Sequence, residues 1–328
     1  MKTAVIGSGN MGTALACVLA ENGHTVACWD HVPEVVNDIR KNHLNTRFLP
    51  GVSLPPPISA DLLLNHVVHE AELIVVAVPS RYFRQVVHEF SPFAAPHAVV
   101  VGAAKGLEPT SGRRMSQVYR DEAAHSVENY VALSGPSIAN ELARQKPTAV
   151  MLASSNPASL HKATDALQNH YLRTETSPDV IGVELGGVLK NIYALGLGLL
   201  DGLNQGSVNV KSAFAVLALA EMKLIAVGLG AEEKTMEGLA GLGDLMTTGF
   251  SPDSHHRRLG EFLAQGVDMK DAVIRLGGNE PEGVRALFQI QVLAEPGRHF
   301  PLAQLIHRCL MEPEFRPRFV NEVWKIIP

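Results

Sequence analysis

Residues 2–30 read KTAVIGSGNMGTALACVLAENGHTVACWD, and this stretch decides the fold. The apolar run Thr3 to Ile6 predicts a strand, and Gly7-Ser8-Gly9-Asn10-Met11-Gly12 follows it and opens a helical stretch, Asn10 to Glu21. Asn22-Gly23 closes that helix, and Thr25 to Trp29 predicts the next strand. The three glycines act differently. Gly7 allows the tight turn, Gly9 lets the backbone approach a pyrophosphate, and Gly12 lets the helix pack closely on the sheet. The helix start offers unpaired N–H groups and partial positive charge to phosphates, which makes Asn10 and Met11 candidate cofactor contacts as well. A lone G-x-G-x-x-G is a weak signal, but a complete strand–turn–helix–strand setting turns it into a dinucleotide site. Asp30 ends the second strand, where a carboxylate accepts hydrogen bonds from both ribose hydroxyls and repels a 2′-phosphate. That points to NAD rather than NADP. His31 is a candidate contact for the adenine end or, more simply, a solvated loop histidine.

Outward from this unit, further apolar runs predict strands at Leu73 to Val78, Ala98 to Val101, Val131 to Leu133 and Thr148 to Leu152, with a helix over Arg81 to Phe90. Continuous apolar strands alternating with helices imply a parallel, doubly wound sheet covered on both faces. After about Pro178 the strand signals stop. Helical patterns take over at Asp179 to Leu200, Asn209 to Gly228, Glu232 to Leu239, Ser254 to Ala264 and on to the end. The fold class is therefore α/β, with an N-terminal doubly wound domain and a mostly helical C-terminal one. The boundary falls near 175–190, giving domains 1–185 and 186–328. A chain of 328 residues exceeds one ordinary core, which agrees with two domains. Pro55-Pro56-Pro57 reads as a local loop.

A charged fraction of 19% against 46% hydrophobic residues describes a packed globular protein, and a net charge of -5 argues against nucleic acid or an acidic membrane as partner. Cys17, Cys28 and Cys309 show no C-x-x-C spacing, so buried free thiols are expected rather than disulfides or a structural zinc. No basic leader precedes the first strand and no apolar run reads as membrane-spanning, so a cytoplasmic protein is expected.

Four segments carry candidate chemistry. Pro79-Ser80 and Ala104-Lys105-Gly106 each follow a strand at the carboxyl edge of the sheet, where doubly wound folds bind ligands. Ser134-Gly135-Pro136-Ser137 follows another strand and presents N–H groups and hydroxyls suited to an anion, or is simply a tight turn. Gly186-Gly187-Val188-Leu189-Lys190-Asn191 places glycines that interrupt the long helix where something must come close, and sets Lys190 and Asn191 among apolar neighbours. A lysine there needs a partner, and desolvation lowers its pKa toward the range of a general acid and base; the plainer reading is a snorkelling lysine. Gly241-Leu242-Gly243-Asp244-Leu245 puts a carboxylate in a glycine-rich bend, either as a partner for Lys190 or as a helix N-cap.

Taken together, GSGNMGTALA, VPS, AKGLEPTSGR, LSGPSIANELA, VELGGVLKN, AEM, GLAGLGDL and EG, in this order over nearly the whole chain, resemble the NAD(P)-dependent glycerol-3-phosphate dehydrogenases. The resemblance implies a Rossmann domain, a helical substrate domain, a homodimer, and reduction of dihydroxyacetone phosphate to sn-glycerol 3-phosphate. By position it implies Lys190 as catalytic acid and base, Lys105 as the group that polarises the substrate oxygen, and Asn191 and Asp244 as completing the site. Gly135 and Ser137 would border the substrate, and Ala139 and Glu282 would line the nicotinamide.

The chain departs from the family downstream of GLGDL. Where the family shows Ser-Arg-Asn, this sequence has Ser254-His255-His256, and Lys211-Ser212 replaces Arg-Thr. Ser254, His255 and His256 are thus the expected phosphate-end contacts, with His255 also reaching the cofactor. Arginine is permanently charged and grips phosphate with a fork, whereas a histidine near neutral pH does so only when protonated. A His-His metal pair is not expected, because adjacent helical residues diverge by about 100°. Three alternatives follow: a paralogous dehydrogenase for another small anion such as a phosphonate, a non-catalytic dinucleotide-binding protein, and a β-hydroxyacid dehydrogenase as the nearest rival fold. Retention of Lys105, Lys190, Asn191 and Asp244 argues against the second. The AKGLE and GLGDL blocks argue against the third.

Overall fold

The computed structural model describes residues 1–124, 127–203, 207–278, 280–293 and 299–327; of the helical run expected to the C-terminus, 294–298 lie outside the described residues. The chain divides into two compact units, Met1–Glu184 and Leu185–Pro328. The first contains β1 (Lys2–Ile6), α1 (Asn10–Glu21), β2 (Thr25–Trp29), α2 (Pro33–Asn42), β3 (Ile58–Asp61), α3 (Leu64–Val68), β4 (Leu73–Val76), α4 (Ser80–Phe90), β5 (Val99–Gly102), α5 (Met115–Glu122), β6 (Tyr130–Ser134), α6 (Ala139–Leu142), β7 (Thr148–Ala153), α7 (Pro157–Leu167) and β8 (Leu172–Ser177). The helix α8 (Val180–Gly202) begins in the first unit and continues into the second. There follow α9 (Val208–Gly228), α10 (Glu233–Glu237), α11 (Asp244–Phe250), α12 (His255–Ala264), α13 (Met269–Arg275), α14 (Glu282–Leu293), α15 (Pro301–Met311) and α16 (Phe319–Ile326).

The eight strands form one sheet in the order β3-β2-β1-β4-β5-β6-β7-β8. Every neighbouring pair is parallel except β6–β7, which is antiparallel. The strand order reverses between β1 and β4, and the crevice beyond their carboxyl ends is the ligand position of such a sheet. Val5, Leu15, Leu19, Val75, Val101 and Leu152 belong to the core of this unit. Six of the eight strands are legible as apolar runs. β3 and β8, the two edges, are not, because part of each strand is exposed and their sequences, ISAD and LRTETS, are broken by polar residues. The sheet is thus parallel-dominated, as a doubly wound fold requires, with the β6–β7 pair as its one antiparallel step.

In the second unit α8 is unbroken, so Gly186-Gly187 does not interrupt it. These glycines serve close packing instead: a Cβ on Gly186 would lie 2.4 Å from the Ala240 carbonyl oxygen. Farther along, a Cβ on Gly198 would lie 1.9 Å from the Arg257 carbonyl oxygen, and one on Gly260 2.1 Å from that of Leu195. Backbone-to-backbone approach of this kind brings the start of α12 directly alongside α8. By length and mean hydropathy α8 could cross a membrane, but it is rich in glycine and 83% of its most apolar stretch is buried inside the protein. It is a core helix. The AEM block supplies Glu221 of α9, whose carboxylate accepts the Leu302 and Ala303 N–H groups at 2.6 and 3.1 Å and the Tyr193 hydroxyl at 3.0 Å. It thereby ties the start of α15 to α8 and α9.

Candidate active site

In the first unit the glycine turn is built as the sequence demands. Gly7 has φ +97°, in the region that favours glycine, and its N–H donates to the Trp29 carbonyl at 2.9 Å. A Cβ on Gly12 would sit 1.9 Å from the Gly7 carbonyl oxygen, so the helix cannot approach the turn with any other residue there. A Cβ on Gly9, by contrast, would meet nothing within 4 Å. Gly9 is also the N-cap of α1 and provides no side-chain cap. Open space beside helix N–H groups without a side-chain cap fits a pyrophosphate.

Asp30 is buried and works partly as a staple: one carboxylate oxygen accepts the Ser8 N–H at 2.9 Å, the other the Val32 N–H at 3.0 Å. Each oxygen of a carboxylate keeps a further acceptor position. The buried Asn45 donates to the Ser8 carbonyl and to the Thr13 hydroxyl, both at 2.8 Å. Asn10 turns its amide to the Phe48 carbonyl at 2.8 Å. Asn45 escapes sequence reasoning because nothing in its local pattern separates it from a loop asparagine. Met11 is half-buried and packs on the core, while His31 is exposed. Pro79 caps α4 and Ser80 is its buried first residue.

The Lys105 ammonium donates to the Gly135 carbonyl at 3.0 Å, and the Ser137 hydroxyl donates to the same oxygen at 3.0 Å. Gly135 has φ +128° and leaves a Cβ only 3.0 Å from the Val150 Cα, so this turn lies flat on β7. Ala139 opens α6 immediately after it. The loop that carries Lys105 is anchored by Arg84 of α4, whose guanidinium pairs with Glu108, Asp121 and Glu122. Arg84, helped by Ser111, holds the Glu108 carboxyl below the usual carboxylate range. Glu184, near the start of α8, accepts from Arg114 at 2.7 Å, from the Ser116 N–H and hydroxyl at 2.6 Å each, and from the Tyr130 hydroxyl at 3.2 Å.

In the second unit Lys190, Asp244 and Thr248 form a buried group. The ammonium lies 3.1 Å from an Asp244 oxygen and donates to the Thr248 hydroxyl at 2.5 Å, and that hydroxyl donates to Asp244 at 3.3 Å. Asp244 is not an N-cap: a π-type turn, Leu239–Gly243, runs straight into α11 and aims its carboxylate at α8. Thr248 escapes the sequence reading, although its place one helical turn beyond Asp244 is the signal that marks it. Asn191 is buried, and its carbonyl faces Gly283. Glu282 is the first residue of α14.

Ser254 caps α12, its hydroxyl accepting the Arg257 N–H at 3.2 Å. His255 keeps solvent contact; burial of its ring and the charge of Arg258 lower its pKa against the opposing effect of Asp253. His256 is pushed well below the ordinary histidine value by burial, then by the Lys190 and His255 charges, with Asp244 opposing. Its Nε2 lies 3.1 Å from the Gly283 nitrogen and accepts that N–H. Lys211 does not stand alone: Asp201 pairs with it at 2.7 Å and with Arg257 at 2.7 Å, joining α8, α9 and α12. Among the described residues no group of three metal-ligating side chains is suited to hold an ion.

Replacing Thr248 by valine leaves a buried ammonium and a buried carboxylate each short of one hydrogen bond. The expected cost is about 1.5–3 kcal/mol of stability, with Thr248→Ser near wild type. Denaturant midpoints of the two variants check this, and equal midpoints would remove Thr248 from the group.

Comparison with known proteins places these sites in a family. The chain matches the family model described as NAD-dependent glycerol-3-phosphate dehydrogenase N-terminus over residues 2–160, and the corresponding C-terminus model over 179–317. It is 40% identical over 313 residues to a glycerol-3-phosphate dehydrogenase [NAD(P)+] of Pelotomaculum thermopropionicum, covering 95% of this chain and 89% of that protein. It is 39% identical to that of Geobacillus thermodenitrificans, covering 94% and 90%. The crystal structure of a glycerol-3-phosphate dehydrogenase from Coxiella burnetii superposes with a TM-score of 0.90 at 33% identity, over 99% of this chain and 98% of that one.

Proposed function

The chain belongs to the NAD-dependent glycerol-3-phosphate dehydrogenase family, and from that premise we propose that it transfers hydride between NAD(H) and sn-glycerol 3-phosphate or dihydroxyacetone phosphate. The observation that carries this reading is the buried Lys190–Asp244–Thr248 group, which supplies the proton chemistry that a carbonyl reduction needs. When bound to the first unit, the nicotinamide cofactor supplies or takes up the hydride. The residues of the chain do the rest. Lys190 gives its proton to the substrate oxygen as the carbonyl becomes an alcohol, and takes it back in the reverse direction. Asp244 balances the ammonium charge, and Thr248 fixes the direction of its N–H groups. Asn191 completes that group. Gly7, Gly9, Gly12 and the start of α1 hold the pyrophosphate, and Asp30 receives the ribose and disfavours a 2′-phosphate. Lys105 polarises the substrate oxygen, with Gly135 and Ser137 beside it, and Ala139 and Glu282 line the nicotinamide.

An assay of the purified protein with NADH and with NADPH, against dihydroxyacetone phosphate and unphosphorylated dihydroxyacetone, tests the proposal. The expected outcome is a higher kcat/KM for NADH and for the phosphorylated ketone, and loss of hydride transfer in Lys190→Ala with NADH still bound. Equal use of NADPH would remove Asp30 from its role; a Lys190→Ala variant that keeps its chemical rate would sink the acid/base assignment.

A second reading, a paralogue for a different small anion such as a phosphonate, is favoured by one observation: the segment 254–256 offers no permanently charged side chain. The two readings separate on pH. A phosphate dianion is gripped by His255 only when the ring is protonated, and burial with Arg258 already lowers its pKa in the ligand-free protein. Protonation is therefore lost as pH rises, starting below the ordinary histidine value, so the KM for dihydroxyacetone phosphate rises with pH. His255→Arg is expected to lower KM about tenfold and flatten the profile. A flat wild-type profile with poor use of this substrate favours the paralogue.

The protein is further proposed to be a cytoplasmic homodimer. Its three cysteines are free and buried, as suits a reducing compartment. Val216, Leu224 and Val227 expose an apolar face on α9 that a second copy can cover. Light scattering is expected to give twice the chain mass, and Leu224→Glu to give the monomer; a wild-type monomer would refute it.

A further inference from the structure

The two adjacent histidines have different surroundings. His255 keeps solvent contact at the first position of α12. The next ring turns inward, and its Nε2 accepts the Gly283 N–H at 3.1 Å. That N–H lies in the first turn of α14, one of the donors that a helix leaves without an internal partner. His256 thus acts as a helix cap delivered from a different helix.

Space enforces the same contact. A Cβ on Gly283 would lie 2.6 Å from the Asn191 carbonyl oxygen and 2.8 Å from Cδ2 of the His256 ring. Gly283 is therefore held between the α8 backbone, one residue past Lys190, and the imidazole plane. The flat imidazole with an acceptor at its end satisfies both demands.

We propose that His256 is a positioning residue, which fixes the start of α14, with Glu282, against the Lys190–Asn191 segment of α8, while the anionic end of the substrate is met at this position by His255. The second half of this statement rests on the function proposed above, and the first half does not.

Charge supports the assignment. The groups facing the ring are the Lys190 ammonium on α8, the Asp244 carboxylate on α11, His255 on its own helix and the N-terminus of α14. An imidazolium would set N–H against N–H at Gly283 and add a cation beside Lys190 and the positive helix end. The neutral ring, protonated on Nδ1, avoids both. A phosphate clamp needs the opposite state, so one ring cannot serve both purposes.

The test uses the full-length protein, with long-range 1H–15N NMR of the histidine rings, amide exchange at Gly283, and kinetics with dihydroxyacetone phosphate. At pH 7.5 His256 is expected as the neutral Nδ1–H tautomer, with a protected Gly283 amide. His256→Ala is expected to lose that protection and about a hundredfold in kcat, with little change in KM. His256→Gln places its amide oxygen near the former Nε2 and is expected to rescue both protection and most of kcat. His255→Ala is expected to raise KM and leave the Gly283 amide protected. An Nε2–H tautomer or an imidazolium at pH 7.5 in the wild type overturns the proposal even if the alanine variant fails to fold. So does a His256→Ala variant that raises KM with kcat unchanged. If dihydroxyacetone phosphate is not a substrate at all, the function proposed above fails, while the NMR readouts still decide the role of His256.

Discussion

A lysine ammonium inside a protein is tolerated only when its charge is answered, and the second unit is arranged to answer the charge of Lys190. Removing an ammonium and a carboxylate from water costs several kcal/mol each, roughly, so their attraction must be reinforced by further hydrogen bonds. Thr248 provides one by accepting from the ammonium and donating to Asp244. Bringing the carboxylate into range requires the 239–243 turn to lie against α8, and Gly186 is the residue that lets the Ala240 carbonyl come so close. Gly186 of α8 and the π-type turn before α11 serve one electrostatic requirement.

The first unit is governed by a different constraint: the glycine turn must leave its main chain open beside the start of α1. Small residues alone do not hold a turn in place. Asp30 and Asn45 do so by bonding the Ser8 N–H and carbonyl from two other segments. The Lys105 loop follows the same plan. Its position is set by Glu108, and Glu108 is set by Arg84. In both places a buried polar group is satisfied by its neighbours and in turn orients the backbone beside it.

The His255-His256 pair shows how a substitution relative to a family acquires meaning only from its contacts. Read as two replacements in a phosphate clamp, they are equivalent. In the folded chain one ring is exposed beside Arg258, while the other, its pKa lowered by burial and by Lys190, accepts the Gly283 N–H at the start of α14. Their chemistry differs because their surroundings differ, not because of their spacing.

The sequence by itself determined the doubly wound architecture, since parallel strands buried on both faces appear as apolar runs and the glycine fingerprint declares its turn. It also named Lys190, because an ionisable residue among apolar neighbours stands out, and Asp244, because a carboxylate in a glycine-rich bend does. It did not determine the edge strands β3 and β8, whose exposed sides carry polar residues, nor the antiparallel β6–β7 pair, because strand direction depends on how the chain returns. Only the tertiary structure decided that α8 runs unbroken past its glycines, that Thr248 joins the ion pair, that Asn45 holds the glycine turn, and that Asp201 ties Lys211 to Arg257. Each depends on two segments distant in the chain meeting at hydrogen-bond range. A local pattern records what a residue is able to do; the partner that makes it do so is supplied by packing.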